Sequence, residues 1–179
     1  MSLITVSDEP LVLAACLFNT GKEIVKAAAD AQVAYNLAGR LYASEPGYLL
    51  LSVPNALVRG VFSAMREPGI ELPPGPAGNL NAHITVMSPK DLETIGGVDK
   101  ITERGKEFRY SLGKLYEVEP DGWPNMARVW YLKVHSPELQ TLRRSYGLSS
   151  RPNADAHDFH VTVAVRRRSV LGRNTTAKA

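Results

Sequence analysis

Two short stretches of the chain alternate polar and apolar side chains with the period of a half-buried strand, and they read almost alike: His83-Ile84-Thr85-Val86 and His160-Val161-Thr162-Val163. Successive strand residues point to opposite faces, so His83 and Thr85 share one face while Ile84 and Val86 take the other. His160 and Thr162 stand likewise against Val161 and Val163. The runs around them also repeat. Residues 47–53 read as a strand, Pro54 opens a helix reaching about Met65, and Pro68-Gly69 ends it. A Gly/Pro-rich loop at 72–76 leads into the first histidine strand. Farther on, residues 127–135 read as a strand, Ser136-Pro137 caps a helix to about Tyr146, and Gly147 ends it. A polar loop at 149–153 leads into the second histidine strand. Between the two units lie a short helix after Ser88-Pro89, a strand-like run at 108–118, and turn signals at Asp121-Gly122 and Pro124-Asn125. The order of strand, helix, turn-rich loop and histidine strand occurs twice, which predicts two similar lobes facing each other. The expected class is α+β, with largely antiparallel sheets, outer helices and a central cleft.

The first 46 residues have a different rhythm. Thr20-Gly21-Lys22-Glu23 resembles a capping box, and Ile24, Ala27, Ala28, Ala31, Ala34, Leu37, Ala38 and Leu41 recur at threes and fours. This predicts an amphipathic helix over about 21–43, within an N-terminal helical extension at 1–46 ahead of a two-lobed domain at 47–179. The apolar run 11–18 is far shorter than the roughly 18–20 residues that cross a bilayer, and acidic residues precede it, unlike a signal peptide. No membrane association is expected. The lone Cys16 leaves no partner for an internal disulfide and suits a reducing cytoplasm; a small buried apolar role fits it best.

Charge adds little. Lys and Arg number 21 against 18 Asp and Glu, an excess that suits a polyanionic ligand but is too small for a protein that coats duplex DNA. Arg166-Arg167-Arg168 looks like a phosphate clamp. Arg166 shares the alternation of His160 and Thr162 but lies about 20 Å along the strand from His160, so it reads as a solvated strand end.

The histidines carry the chemistry. A given histidine is followed by aliphatic, Ser/Thr, aliphatic about one time in fifty by chance, so two hits among four histidines are not readily accidental. His135 reads as surface. His157 and His160, three apart on a strand, would point to opposite faces, and no cysteine or carboxylate cluster has metal-ligand spacing, so neither a metal nor another cofactor is expected. Two imidazoles and two hydroxyls can supply an acid, a base and two hydrogen-bond donors to a phosphodiester. Tyr48, which shares a strand face with Ser52, is a weaker candidate for ligand contact. So are Trp130 and Tyr131, which are adjacent and so point oppositely, and Lys90 at a helix start.

The paired His-aliphatic-Thr-aliphatic motifs resemble the two-histidine (2H) phosphoesterase superfamily, the LigT-like group, over about residues 47–168. The resemblance implies a bilobal fold of two pseudo-symmetric antiparallel-sheet lobes, with one motif on a central strand of each. It also implies a metal-independent hydrolase that opens 2′,3′-cyclic phosphates, 2′-5′ linkages, or cyclic and linear oligonucleotide signals. Viral relatives use that last activity to destroy immune second messengers. By match to the motif, His83 and His160 would be the catalytic pair, with Thr85 and Thr162 holding the phosphate. The implied partners are a nucleotide, a cyclic oligonucleotide or a short RNA. Two other readings stay open: a non-catalytic module that sequesters a cyclic nucleotide or RNA end, and a structural protein whose histidines are incidental. Neither the oligomeric state nor which histidine is the acid follows from the residues.

Overall fold

The structure, a computed structural model, describes residues 37–168 apart from 46, 76–77, 121–122 and 153–157. Six strands and three α-helices alternate along it. In chain order they are β1 (Leu37–Ser44), β2 (Tyr48–Ser52), α1 (Asn55–Ala64), β3 (His83–Met87), α2 (Pro89–Thr94), β4 (Glu107–Val118), β5 (Met126–His135), α3 (Pro137–Ser145) and β6 (His160–Arg167). The strands form one sheet in the order β3-β2-β1-β4-β5-β6, antiparallel at every pairing, so the protein is α+β.

β1 replaces the end of the expected helix. Leu37 and Leu41 are four residues apart, which satisfies a helix period and a strand period equally. Tertiary pairing decides the matter. β1 lies in the middle of the sheet, with Leu41–Ser44 bonded to β2 and Leu37–Arg40 to β4. Gly47, at φ +93, turns the chain between β1 and β2, its N–H reaching the Ser44 carbonyl at 2.7 Å. The sheet therefore begins ten residues before the boundary expected at 47. The rest of that helix, at 21–36, and Cys16 lie outside the described residues.

The two halves match strand for strand: β1-β2-α1-β3 against β4-β5-α3-β6. Two of the three helix starts are closed by side-chain caps. Ser136 accepts from the Leu139 N–H at 3.2 Å and donates to the Arg109 carbonyl at 2.6 Å, while Pro137 opens α3. Ser88 and Asp91 form a reciprocal capping box on α2. Two glycines occupy matching places where neighbouring backbone presses close. A Cβ on Gly39 would lie 2.1 Å from the Ser52 carbonyl oxygen, and one on Gly113 would lie 3.3 Å from that of Lys133.

The halves interleave. Helix α1 packs on β6, and α3 packs on β3 as well as β4, so each half's helix lies against the other half's histidine strand. One apolar cluster runs through both, including Leu41, Leu51, Ile84 and Val86 from the first half and Leu132, Val134, Val161 and Val163 from the second. Each such fully buried aliphatic contributes about 1.5–3 kcal/mol. β3 and β6 are the two ends of the hydrogen-bonded order, yet they approach each other in space. The sheet is thus curled, and the two motif strands are neighbours.

Candidate active site

Both motif strands keep the alternation read from the sequence. Ile84 and Val86 are fully buried, as are Val161 and Val163, while His83, Thr85, His160 and Thr162 are half-buried on the other face. Their registers also correspond. Ser52 stands opposite His83 and Leu50 opposite Thr85, as Lys133 stands opposite His160 and Tyr131 opposite Thr162. Just after each threonine the register slips: Leu49 pairs with Met87, and Trp130 with Ala164. One extra residue, Val86 or Val163, is accommodated there as a bulge, which bends the strand immediately beyond the motif.

The imidazoles are held in the same way. His83 Nδ1 lies 2.7 Å from the carbonyl oxygen of Asn81, and His160 Nδ1 lies 3.0 Å from that of Asp158, each two residues upstream. A carbonyl can only accept, so Nδ1 carries the hydrogen in both rings. In the neutral ring the lone pair is then on Nε2, where it can take a proton; in the charged ring Nε2–H can give one. The residues before the histidines are anchored alike too. Val53 N–H reaches the Ala82 carbonyl at 3.0 Å, and Val134 N–H reaches that of Phe159 at 2.7 Å. Asn55, at the start of α1, adds a clamp on the first motif, accepting from Ala82 N–H at 2.9 Å and donating to the Leu80 carbonyl at 2.8 Å.

Arg143 links the two motifs. Only 1% of its side chain is exposed. From α3 it donates to the carbonyl of the bulge residue Val86 at 2.6 Å, to the Asp91 carboxylate at 3.1 and 3.3 Å, and to the Ser149 carbonyl at 2.7 Å. It thus ties the strand of the first motif to the loop that leads to the second. Burial alone would raise the Asp91 carboxyl, but hydrogen bonds from Arg143 and Ser88, with the guanidinium charge, bring it below its usual value.

The weaker candidates divide. Tyr131 faces the motif: its ring centroid is 5.1 Å from that of His160, tilted by 59°. On its other side it stacks with Tyr116 at 5.6 Å and 17°. Trp130 does not face it. It is buried in the core, its Nε1–H donates to Glu117 Oε2 at 3.2 Å, and Arg166 covers its ring at 5.3 Å. The bulge beyond Thr162 bears on Arg166, because it breaks the simple alternation that would have put Arg166 on the face of His160 and Thr162. Instead Arg166 bonds Glu67 and the Pro68 carbonyl, both at 2.7 Å, so it is not a solvated strand end. Tyr48 is half-buried at the start of β2, opposite Ser44 and on the face of Leu50 and Ser52. Lys90 is exposed on the first turn of α2 and makes no ion pair among the described residues. His135 is exposed at the end of β5, and His157 lies outside the described residues. Among the described residues, no group of three or more His, Cys, Asp or Glu could hold a metal ion.

Beside His160, Lys133 pairs with the Asp158 carboxylate, and Arg151 approaches the same group at 3.8 Å. The hydrogen bond from Lys133 holds the Asp158 carboxyl below its usual value and, reciprocally, raises Lys133.

The family model of the Swiss Army Knife 2H phosphoesterase domain matches residues 52–171, most of the chain, with both motifs inside the matched span. The chain belongs to the 2H phosphoesterases. It is accordingly a phosphoesterase domain of the hydrolase class. No curated protein and no solved structure matches it. The matched span begins at Ser52, so β1 and most of β2, which complete the sheet of this 2H domain, precede it. Among the described residues, no helix is long and apolar enough to cross a membrane.

Proposed function

We propose that the protein is a metal-independent phosphodiesterase acting on a nucleotide or short oligonucleotide, with His83 and His160 as its acid–base pair. The observation that supports this reading is the matched tautomer: two imidazoles on neighbouring strands, each with Nδ1–H on a backbone carbonyl, which assigns proton exchange to Nε2 in the proposed reaction. Imidazole titrates near neutrality, so one ring can be neutral while the other is charged. The neutral ring takes a proton from water as the water oxygen attacks phosphorus. The charged ring gives its proton to the departing ribose oxygen as the P–O bond breaks. One bond forms and one breaks, and the pair exchanges protonation states without net change. The hydroxyls of Thr85 and Thr162, on the faces of their own histidines, donate to the non-bridging oxygens as charge builds there.

The test is hydrolysis across 2′,3′-cyclic nucleotides, 2′-5′ oligoadenylates and cyclic dinucleotides in excess EDTA, with products identified by mass. Turnover of at least one substrate, unaffected by EDTA and bell-shaped in pH, supports the proposal. Tight binding without turnover across the panel would replace it with a sequestering role, and turnover abolished by EDTA would overturn it.

A further inference from the structure

The two halves correspond residue for residue on the motif face, so their differences can be read as a ligand would meet them. From the first threonine outward across the sheet, the row is Thr85, Leu50, Tyr42; from the second it is Thr162, Tyr131, Tyr116. Beside the histidines stand Ser52 in one half and Lys133 in the other. The same architecture thus places the aliphatic Leu50 beside one threonine and the aromatic Tyr131 beside the other.

The two outer tyrosines differ in how they are used. The Tyr42 hydroxyl exchanges hydrogen bonds with the Asn81 side chain at 3.3 and 3.4 Å, which ties it to the residue whose carbonyl holds His83. Tyr116 is 41% exposed, one of two large hydrophobic residues so exposed among those described. Tyr131 is half-buried and touches two rings, His160 at 5.1 Å and Tyr116 stacked at 5.6 Å, so it is already engaged in supporting His160. Tyr116 ends the row on β4 and is the more exposed of the two stacked tyrosines.

Resting on the phosphodiesterase reading above, we infer that the substrate binds in one orientation, with its nucleobase over Tyr116 in the His160 half and no ring partner in the His83 half. Tyr116 lies two strand spacings from β6, about 10 Å, which suits a base carried on the ribose next to the phosphorus. An exposed ring at the end of an aromatic row is a stacking platform, tolerant of base identity because every base has a π-face. Tyr116 is then a specificity-determining residue that sets which side of the phosphodiester carries the base, and so makes the two histidines inequivalent.

The experiment compares kcat/KM for 2′,3′-cyclic AMP with that for glycerol 1,2-cyclic phosphate, which has the same strained phosphodiester and no base. Wild-type protein should prefer the nucleotide. In Tyr116→Ala that preference should fall about ten- to a hundredfold, through KM for the nucleotide. Tyr116→Phe should keep it, and Tyr42→Ala should not reduce it. An undiminished preference in Tyr116→Ala, or an equal drop in Tyr42→Ala, overturns the inference. Wild-type protein that hydrolyses both substrates equally overturns it too, yet leaves the phosphodiesterase reading standing. Protein that neither binds nor hydrolyses either substrate overturns the inference, and the phosphodiesterase reading falls with it only when 2′-5′ oligoadenylates and cyclic dinucleotides are not turned over either.

Discussion

Replacing Arg143 with methionine probes the contact that joins the halves. Methionine keeps much of the volume but removes the charge and every donor. The structure then has a half-buried Asp91 carboxylate without its cation, and the Val86 and Ser149 carbonyls without their partner. Removing one member of a buried ion pair costs about 3–5 kcal/mol. Each orphaned carbonyl adds up to about 1–3 kcal/mol, less whatever water recovers. A loss of about 4 kcal/mol is therefore expected, which for a chain of this size lowers the melting midpoint by about 8–16 °C. The pH dependence has a definite sign. The folded Asp91 carboxyl lies below its usual value, so its stabilisation is present above the ordinary carboxylate range and is lost as pH falls through the depressed folded value. The deficit of the variant should accordingly be largest near neutrality and shrink in acid. Urea unfolding at several pH values measures it, and Arg143→Met/Asp91→Asn should be less destabilised than the two single losses added, because no unpaired charge remains. A deficit under 1 kcal/mol at pH 7, or one that grows in acid, would refute this account of the linkage between the halves.

Two further outcomes follow from particular atoms. The Tyr110 hydroxyl is buried with no hydrogen-bond partner among the described residues, and burial pushes its pKa up to about 12. Tyr110→Phe should therefore be neutral or stabilising by about 1 kcal/mol in thermal unfolding, and should remove a stability loss that the wild type shows as pH rises from the ordinary phenol range through about 12. Gly39→Ala should destabilise by about 1–3 kcal/mol, since its Cβ would lie 2.1 Å from the Ser52 carbonyl oxygen and backbone must move. Because Ser52 is the register partner of His83, the same variant should lose turnover, which a coupled unfolding and activity assay on soluble protein detects.

The motif strands were legible because their signal is local. Alternation places the two histidines and two threonines on one face whatever the rest of the fold does, and Pro and Gly punctuate the helices between. β1 was not legible, since Leu37 and Leu41 suit two periods and only pairing with β2 and β4 chooses. Nor was the fate of Arg166, because a one-residue bulge after Thr162 leaves no mark in composition, and adjacency said only that Trp130 and Tyr131 point oppositely, leaving packing to choose which faces the motif. The supports of the histidines were hidden for a different reason. Asn81 and Asp158 act through backbone carbonyls, which every residue has, so the only available signal was their common place two residues before each histidine. Arg143 and Tyr116 lie far from the motifs in sequence and reach them through sheet order and helix exchange, neither of which spacing reveals.

Whether the two imidazoles work on one phosphorus is measured most directly by kinetics of His83→Ala, His160→Ala and the double variant on a cleaved cyclic nucleotide. Each single change should lower kcat by about 10²–10⁴, and the double should fall no further than the worse single, since residues acting as a unit in one step are lost together. Full activity in either single variant, or losses that multiply in the double, would contradict a shared site.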